Sequence, residues 1–307
     1  MTSITPPAGF RKGVAVMLAA LTMFAGLAAP AAHAADSNLP VHDLIKETSV
    51  PPQYGAFVFD SFDIDPESIV DVTGMTATTN TTNQADDPYS DSANKPGAKK
   101  IWVPAGSGEH AVTIRHAGDW TDAGLVRHAV DARIGLKDTS HGYLYWRPDT
   151  RSVGVGIDNI ASDKPRESVT VTVTFTAEDG TPLTGFKGVT GFTDLDGAWW
   201  DASLPNEGWE LLDGFDAVYK RSDAHLQAFG TNGWRGIQDE DNGPAGSEHD
   251  MQHYIAVTFS QPTLTLRYST VAKSGLNSGF QPIPATAAYP LLYDANGGSG
   301  TLPKQDN

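Results

Sequence analysis

Residues 168–177 read Ser-Val-Thr-Val-Thr-Val-Thr-Phe-Thr-Ala. Successive side chains of an extended chain point to opposite faces. Val169, Val171, Val173 and Phe175 therefore share one side, and Thr170, Thr172, Thr174 and Thr176 the other. This period of two commits the segment to a half-buried antiparallel strand, apolar face on a core and hydroxyls toward water. Glu178-Asp179-Gly180 follows as a tight turn in which Gly180 can take a positive φ, and 186–192 is expected to be the return segment. Similar β-branched and aromatic runs, separated by Gly, Pro, Asn and Asp, occur at 70–75, 111–116, 127–136, 143–146, 152–157, 217–219 and 225–229. A last pair, 254–259 and 264–268, is joined through Gln261-Pro262. No stretch sustains an apolar period of 3.6 over three turns. The expected fold is all-β, an antiparallel β-sandwich or jelly roll.

The beginning of the chain follows a different logic. Arg11 and Lys12 precede an apolar stretch at 14–29, Pro30 ends it, and Ala32-His33-Ala34 supplies a small-x-small cleavage pattern. Residues 1–34 are expected to be a cleaved signal peptide, since the stretch is shorter than the ~20 residues of a spanning helix. The chain is then secreted or held at the cell surface, with no membrane insertion after cleavage. It has no cysteine, which rules out disulfides, thiol catalysis, zinc–thiolate sites and thioester chemistry. With 37 acidic against 21 basic side chains, the formal charge is −16, and loss of Arg11 and Lys12 makes the mature chain more acidic still. That balance argues against a nucleic-acid partner and against general adhesion to anionic lipid. The 39% apolar content separates the chain from disordered acidic tails. A β-sandwich domain is expected over 39–274, with a polar loop at 80–98. A linker carrying Pro282 and Pro284 follows at 275–290, and a further element at 291–307.

Three segments together resemble the N-terminal adhesin-type domains of surface proteins from Gram-positive bacteria, actinobacteria especially. They are 110–136, HAVTIRHAGDWTDAGLVRHAVDARIGL; 168–197, ending in Phe-Thr-Asp-Leu-Asp-Gly; and the closing strands 256–260 and 264–269. In such domains the Asp-x-Asp strand end is followed by a Glu-containing strand. Here Glu207 and Glu210 follow, after a Trp-rich insertion at 198–206. Residues 293–305, YDANGGSGTLPKQ, resemble the opening of a Listeria–Bacteroides (internalin B-type) repeat, a small β-grasp module. Only a first strand and turn of that module fit in the chain, and an isolated strand cannot bury its apolar face. The chain is therefore expected to be a piece, or an early-terminated version, of a longer repeat-bearing protein. Leu302-Pro303-Lys304 lacks the Thr-Gly, hydrophobic tail and basic end of a sortase signal.

Two groups of residues are candidates for function. Trp199, Trp200, Trp209 and Trp234, with Asn232 and Arg235, combine flat aromatic faces with amide and guanidinium groups, as a sugar-binding surface requires; Asp201 and Asn206 flank them. A buried core is the ordinary alternative for a tryptophan. Trp199 and Trp200 cannot both face inward if their segment is a strand. Asp194 and Asp196, about 7 Å apart on one side of a strand, combine with Asp201 and Glu207 as oxygen ligands for calcium, the one cofactor the sequence suggests. No EF-hand spacing occurs, and turn capping by the aspartates is the alternative. Asp194, Asp196, Glu207 and Glu210 also admit a glycosidase pair. Residues 248–253, Glu-His-Asp-Met-Gln-His, miss the His-Glu-x-x-His zinc pattern, and His249 and His253 are read as surface residues. There is neither a Gly-x-Ser-x-Gly elbow nor a phosphate loop. Lys187 is read as exposed rather than cross-linked. The expected function is a non-catalytic surface adhesion module binding a glycan or a host or matrix protein. A jelly-roll hydrolase and a structural stalk are the alternatives.

Overall fold

In the computed structural model, β9 (Glu167–Ala177) realises the alternation read from the sequence. Val169, Val171, Val173 and Phe175 are at most 2% exposed, whereas Thr172 and Thr174 are half-buried and Thr176 is exposed. Burial of each valine contributes about 1.5–3 kcal/mol. The structure describes residues 39–44, 49–59, 61, 64–73, 76–79, 99–102, 110–137, 142–146, 151–157, 166–198, 201–238 and 247–271. The segments 1–34, 80–98 and 275–307 discussed above lie outside them. Before β9 come β1 (Val41–Asp43), β2 (Ile69–Thr73), β3 (Thr76–Thr79), β4 (Lys99–Trp102), β5 (His110–Thr121), β6 (Arg127–Lys137), β7 (Gly142–Trp146) and β8 (Val153–Ile157). After it come β10 (Gly188–Phe192), β11 (Gly197–Ala198), β12 (Asp201–Pro205), β13 (Gly208–Asp213), β14 (Phe215–Lys220), β15 (Leu226–Phe229) and β16 (Gly233–Gly236). A short helix α1 (Glu248–Gln252) precedes β17 (Ile255–Phe259) and β18 (Thr263–Thr270).

The protein is an all-β sandwich. An eight-stranded sheet runs β15-β16-β13-β18-β9-β6-β5-β2, and a four-stranded sheet β1-β14-β17-β10 faces it. Val169, Val171, Val173, Leu264 and Leu266 from the first sheet and Val218, Ile255, Val257 and Phe259 from the second share one core. Phe57, Phe59, Phe175, Phe186 and Phe259 form its aromatic centre, with Phe175 and Phe259 stacked at 5.7 Å. The back of the four-stranded sheet is apolar as well. Val189, Ala217, Tyr219 and Ala256 there are covered by Leu44, Val50, Tyr54 and Val58 from the segment before β2. A second four-stranded sheet, β3-β4-β7-β8, places Leu144, Trp146, Val153, Val155 and Ile157 in the main core. The outer face of the eight-stranded sheet is polar, with Arg133 opposite Thr174 and Lys137 opposite Thr170 across β6 and β9. Among the described residues no helix is long and apolar enough to cross a membrane.

Three expectations are corrected. Gly180 does take φ +76 in the turn after β9, but residues 186–192 do not return along β9. Every residue of β10 is buried, and it pairs with β17 in the facing sheet, where both of its faces are covered. The last two strands are likewise not hairpin partners, since β17 belongs to the four-stranded sheet and β18 to the eight-stranded one. Finally, 248–252 is helical. Ser247 caps α1 by accepting the Asp250 N–H at 3.3 Å, and His253 is fully buried rather than a surface residue.

The β5–β6 hairpin tip is held by charge. Asp122 Oδ1 accepts the N–H groups of Gly124 and Val126, each at 2.8 Å. His128, stacked on Trp120, lies 3.2 Å from Asp122 Oδ2 and 3.5 Å from Asp179 Oδ2. The hydrogen bond to Asp122, then that to Asp179, holds the imidazole pKa above its ordinary value of 6.5 against the opposing effect of desolvation. Asp122 is held below 3.8, chiefly by the Val126 N–H and next by His128. Asp179 is held below 3.8 mainly by Thr181. The histidine's stabilisation is complete below its unfolded pKa and is lost as pH rises through the raised folded value. The carboxylates' contribution is present above their unfolded pKa and is lost as pH falls through the depressed values. The clamp is therefore whole between about pH 4 and 6.5. The amide-exchange protection factor of Val126 should be highest there and fall above neutrality, and His128→Gln should remove that upper limb. A flat profile from pH 5 to 8 would contradict the assignment.

Candidate binding face

One residue's step along β16 separates core from solvent. Trp234, Trp209 and Tyr268 are opposed across β16, β13 and β18 and share the inner face. Trp209 is 0% and Trp234 3% exposed. Trp209 stacks on Phe192 at 4.9 Å and meets Tyr268 at 5.0 Å. Both tryptophans are core residues, and neither offers a ring face to a ligand. Trp199 and Trp200 stand between β11 and β12 in the sequence and lie outside the described residues.

Arg235, the next residue, pairs with Gly208 on β13 and Gln227 on β15 and faces outward. Its guanidinium carbon is 4.5 Å from the centroid of the half-buried Phe229 ring, within cation–π range. The ring lies over two glycines. A Cβ on Gly208 would stand 2.6 Å from Arg235 Cβ and 2.9 Å from the Phe229 ring, and one on Gly233 would be 2.9 Å from the same ring. Side chains at either position would push Phe229 off the sheet. Arg235 is half-buried, and its buried Nε has no hydrogen-bond acceptor among the described residues.

Arg166 reaches the same corner from the residue before β9. It donates to the carbonyl oxygens of Pro205 and Asn206, at the passage from β12 to β13. Burial, and next the charge of Arg235, bring its pKa down to about 10. Burial lowers that of Arg235 too. Asn206 Oδ1 fixes the corner by accepting from Thr270 Oγ1 at 2.9 Å and the Val271 N–H at 3.0 Å. Asn232 acts through its backbone neighbourhood rather than as an open amide, for its Oδ1 accepts the Leu39 N–H at 3.0 Å.

The carboxylates are engaged within the fold. Glu210 pairs with Arg267 at 3.0 Å and accepts the Thr231 N–H at 3.4 Å. Glu207, buried, accepts the Asp196 N–H at 3.4 Å and returns its own N–H to the Asp196 carbonyl at 2.9 Å. Asp196 Oδ1 lies 3.2 Å from His253 Nδ1, which is also 3.1 Å from the Leu195 carbonyl oxygen. Thr193 Oγ1 donates to the buried Asp250 at 2.5 Å. Asp194 takes φ +61 at the strand end, and Asp201 is exposed on β12. Among the described residues no three His, Asp or Glu side chains are grouped to hold a metal ion. The structure thus brings Asp196 and Glu207 together, but as a backbone latch.

Sequence reasoning singled out Arg235 and missed Phe229, Arg166 and the glycine floor. The run Phe-Gly-Thr-Asn-Gly-Trp-Arg-Gly, 229–236, carries a hairpin signal that places Arg235 beside Phe229 and Gln227. Nothing local ties Arg166 to them. No protein-family model and no curated protein matches the chain. Among solved structures, the chain is similar to the N-terminal domain of the Streptococcus gordonii adhesin Sgo0707, at 11% identity and TM-score 0.48, over 76% of this chain. It spans 60% of the length of that structure. The adhesin domain of PrgB from Enterococcus faecalis bound to DNA is similar at 12% identity and TM-score 0.47, over 74% of this chain and 92% of that one. A second structure of that PrgB domain gives 11% and 0.42, over 73% and 86%.

Proposed function

We propose that this chain is an exported surface module that binds a ligand without catalysis, and that its binding face is the β15–β16 edge. Residues 1–34 serve as the export signal, 39–274 as the binding domain, 275–290 as a linker, and 291–307 as the start of a surface repeat. The observation that carries the reading is the Phe229–Arg235 pair, an aromatic ring and a guanidinium on the outer face of a sheet edge. Aromatic and arginine side chains dominate recognition surfaces because they bring area and donors with little added entropy cost. Of the carboxylates of a hydrolase reading, Asp194, Asp196, Glu207 and Glu210, the last three are engaged as described above, which favours binding over hydrolysis. The calcium reading for Asp194, Asp196, Asp201 and Glu207 is not needed by this proposal. Burial of Trp209 and Trp234 favours a second reading, a stalk domain that spaces other modules from the cell.

The experiment is an array of glycans, host and matrix proteins and duplex DNA probed with the secreted chain, with calcium and with chelator. DNA belongs on it because a net charge describes the whole chain and not the field at one edge. The binding reading expects saturable binding to one class, lost in Trp199→Ala/Trp200→Ala or in Phe229→Ala while the thermal transition is kept. Absence of binding to every surface would leave the stalk.

A further inference from the structure

We propose that Arg166 and Arg235 form a subsite for the carboxylate of an acidic saccharide, with Phe229 and Gln227 beside it for the sugar ring and its hydroxyls. The inference deepens the binding reading above and rests on it. Four observations carry it. Arg235 and Arg166 have no carboxylate partner among the described residues, although the chain has 37 acidic side chains to offer. Elsewhere on the outer face Arg267 is paired with Glu210, so the sheet supplies counter-charges where it needs them. Arg235 has a buried Nε without an acceptor among the described residues, so its guanidinium is placed by packing on Phe229 and not by a counter-ion. Arg166 spends two of its donors on the Pro205 and Asn206 carbonyls, which fixes its plane at that corner without neutralising its charge.

Arg166 is held on the Pro205 and Asn206 carbonyls, and the Asn206 N–H donates to the carbonyl of Gly236, the residue after Arg235, at 3.1 Å. Two partly desolvated guanidiniums at one corner of the sheet are an arrangement that an incoming anion stabilises, because each charge otherwise disfavours the other. Guanidinium donors match the two oxygens of a carboxylate. Gln227 is exposed directly opposite Arg235, where an amide can orient hydroxyls. A single charged sugar suits this corner better than a long polyanion, which would meet the field of a chain with net charge −16.

The test uses the full secreted chain and two probes: a neutral oligosaccharide ending in one galacturonate, and the same oligosaccharide with that carboxylate reduced to an alcohol. The galacturonate-ended probe should bind and weaken with added salt, and the reduced twin should bind at least about tenfold more weakly, as expected for loss of a charge-assisted hydrogen bond. Arg235→Gln should lower affinity for the acidic probe about tenfold or more and leave the reduced probe unchanged. Arg235→Lys, which keeps the charge and the stem, should fall between, and it decides the matter if the glutamine variant melts early. Equal affinity for the two probes, no binding of either, or insensitivity to both substitutions would overturn the subsite. So would Arg235-dependent binding of a 20-base-pair duplex DNA with none of the saccharide. If a neutral glycan or a protein on the array binds regardless of Arg235, the subsite falls and the binding module stands. If nothing on the array binds, both fall.

Discussion

Trp209→Ala should lower the stability of the domain by about 3–5 kcal/mol, the cost of removing a large aromatic side chain from a packed core. For a domain of this size that is a fall in melting temperature of roughly 6 to 20 °C. The reason is position. Trp209 is on the third strand from the edge, fully buried, between Phe192 of the facing sheet and Tyr268 of the neighbouring strand. Its removal opens a cavity at the point where the two sheets meet, and both of its neighbours lose a ring contact. Ligand binding should be lost only in proportion to unfolding. A variant that melts normally and no longer binds would make Trp209 a ligand contact after all and would move the binding face to the interior of the sandwich.

A comparable loss is expected two strands further in, and its value lies in a contrast of adjacent residues. Phe175→Ala should cost about 3–5 kcal/mol, because the ring contacts Phe57, Phe59, Phe186 and Phe259. Thr174→Ala should change stability by less than about 0.5 kcal/mol. Thr174 lies on the outer face, half-buried and opposite Arg133 and Thr263, and its hydroxyl is 3.5 Å from that of Thr263. Denaturant melts of the two variants measure the difference. Similar losses in both would mean that the outer face is covered, and the polar side of the large sheet would then be a second core surface rather than open ground.

The same alternation explains what the sequence shows and what it conceals. Over 168–177 of β9 and 263–268 of β18 apolar and polar residues alternate, so strand and inner face follow from the period alone. The strands β13 and β16 were not evident, because Gly-Trp-Glu-Leu-Leu-Asp and Gly-Trp-Arg-Gly have glycines where an outward side chain would mark the period. Those glycines are the floor under Phe229, so the feature that hides the strand is the one that builds the site. Sheet membership was not legible either. The runs at 186–192 and 254–259 look like partners of their sequence neighbours, yet both cross to the facing sheet, where each residue of β10 and β17 is buried. Periodicity describes a strand's own faces and says nothing about which edge it joins. The nearness of Arg166 and Arg235 is a property of the tertiary fold for the same reason. The buried His253 was missed because its short helix spans little more than one turn, too few residues to show a period.

Hydrogen exchange of the secreted chain, free and saturated with the tightest-binding probe from the array, tests the central claim most directly, since it locates the ligand without altering a residue. The account predicts slower exchange concentrated at 226–236 and around 205–208, the edge that carries Phe229, Arg235 and the carbonyls held by Arg166. Protection confined to the β5–β6 hairpin tip or to the back of the four-stranded sheet, with the β15–β16 edge exchanging as in the free protein, would contradict it.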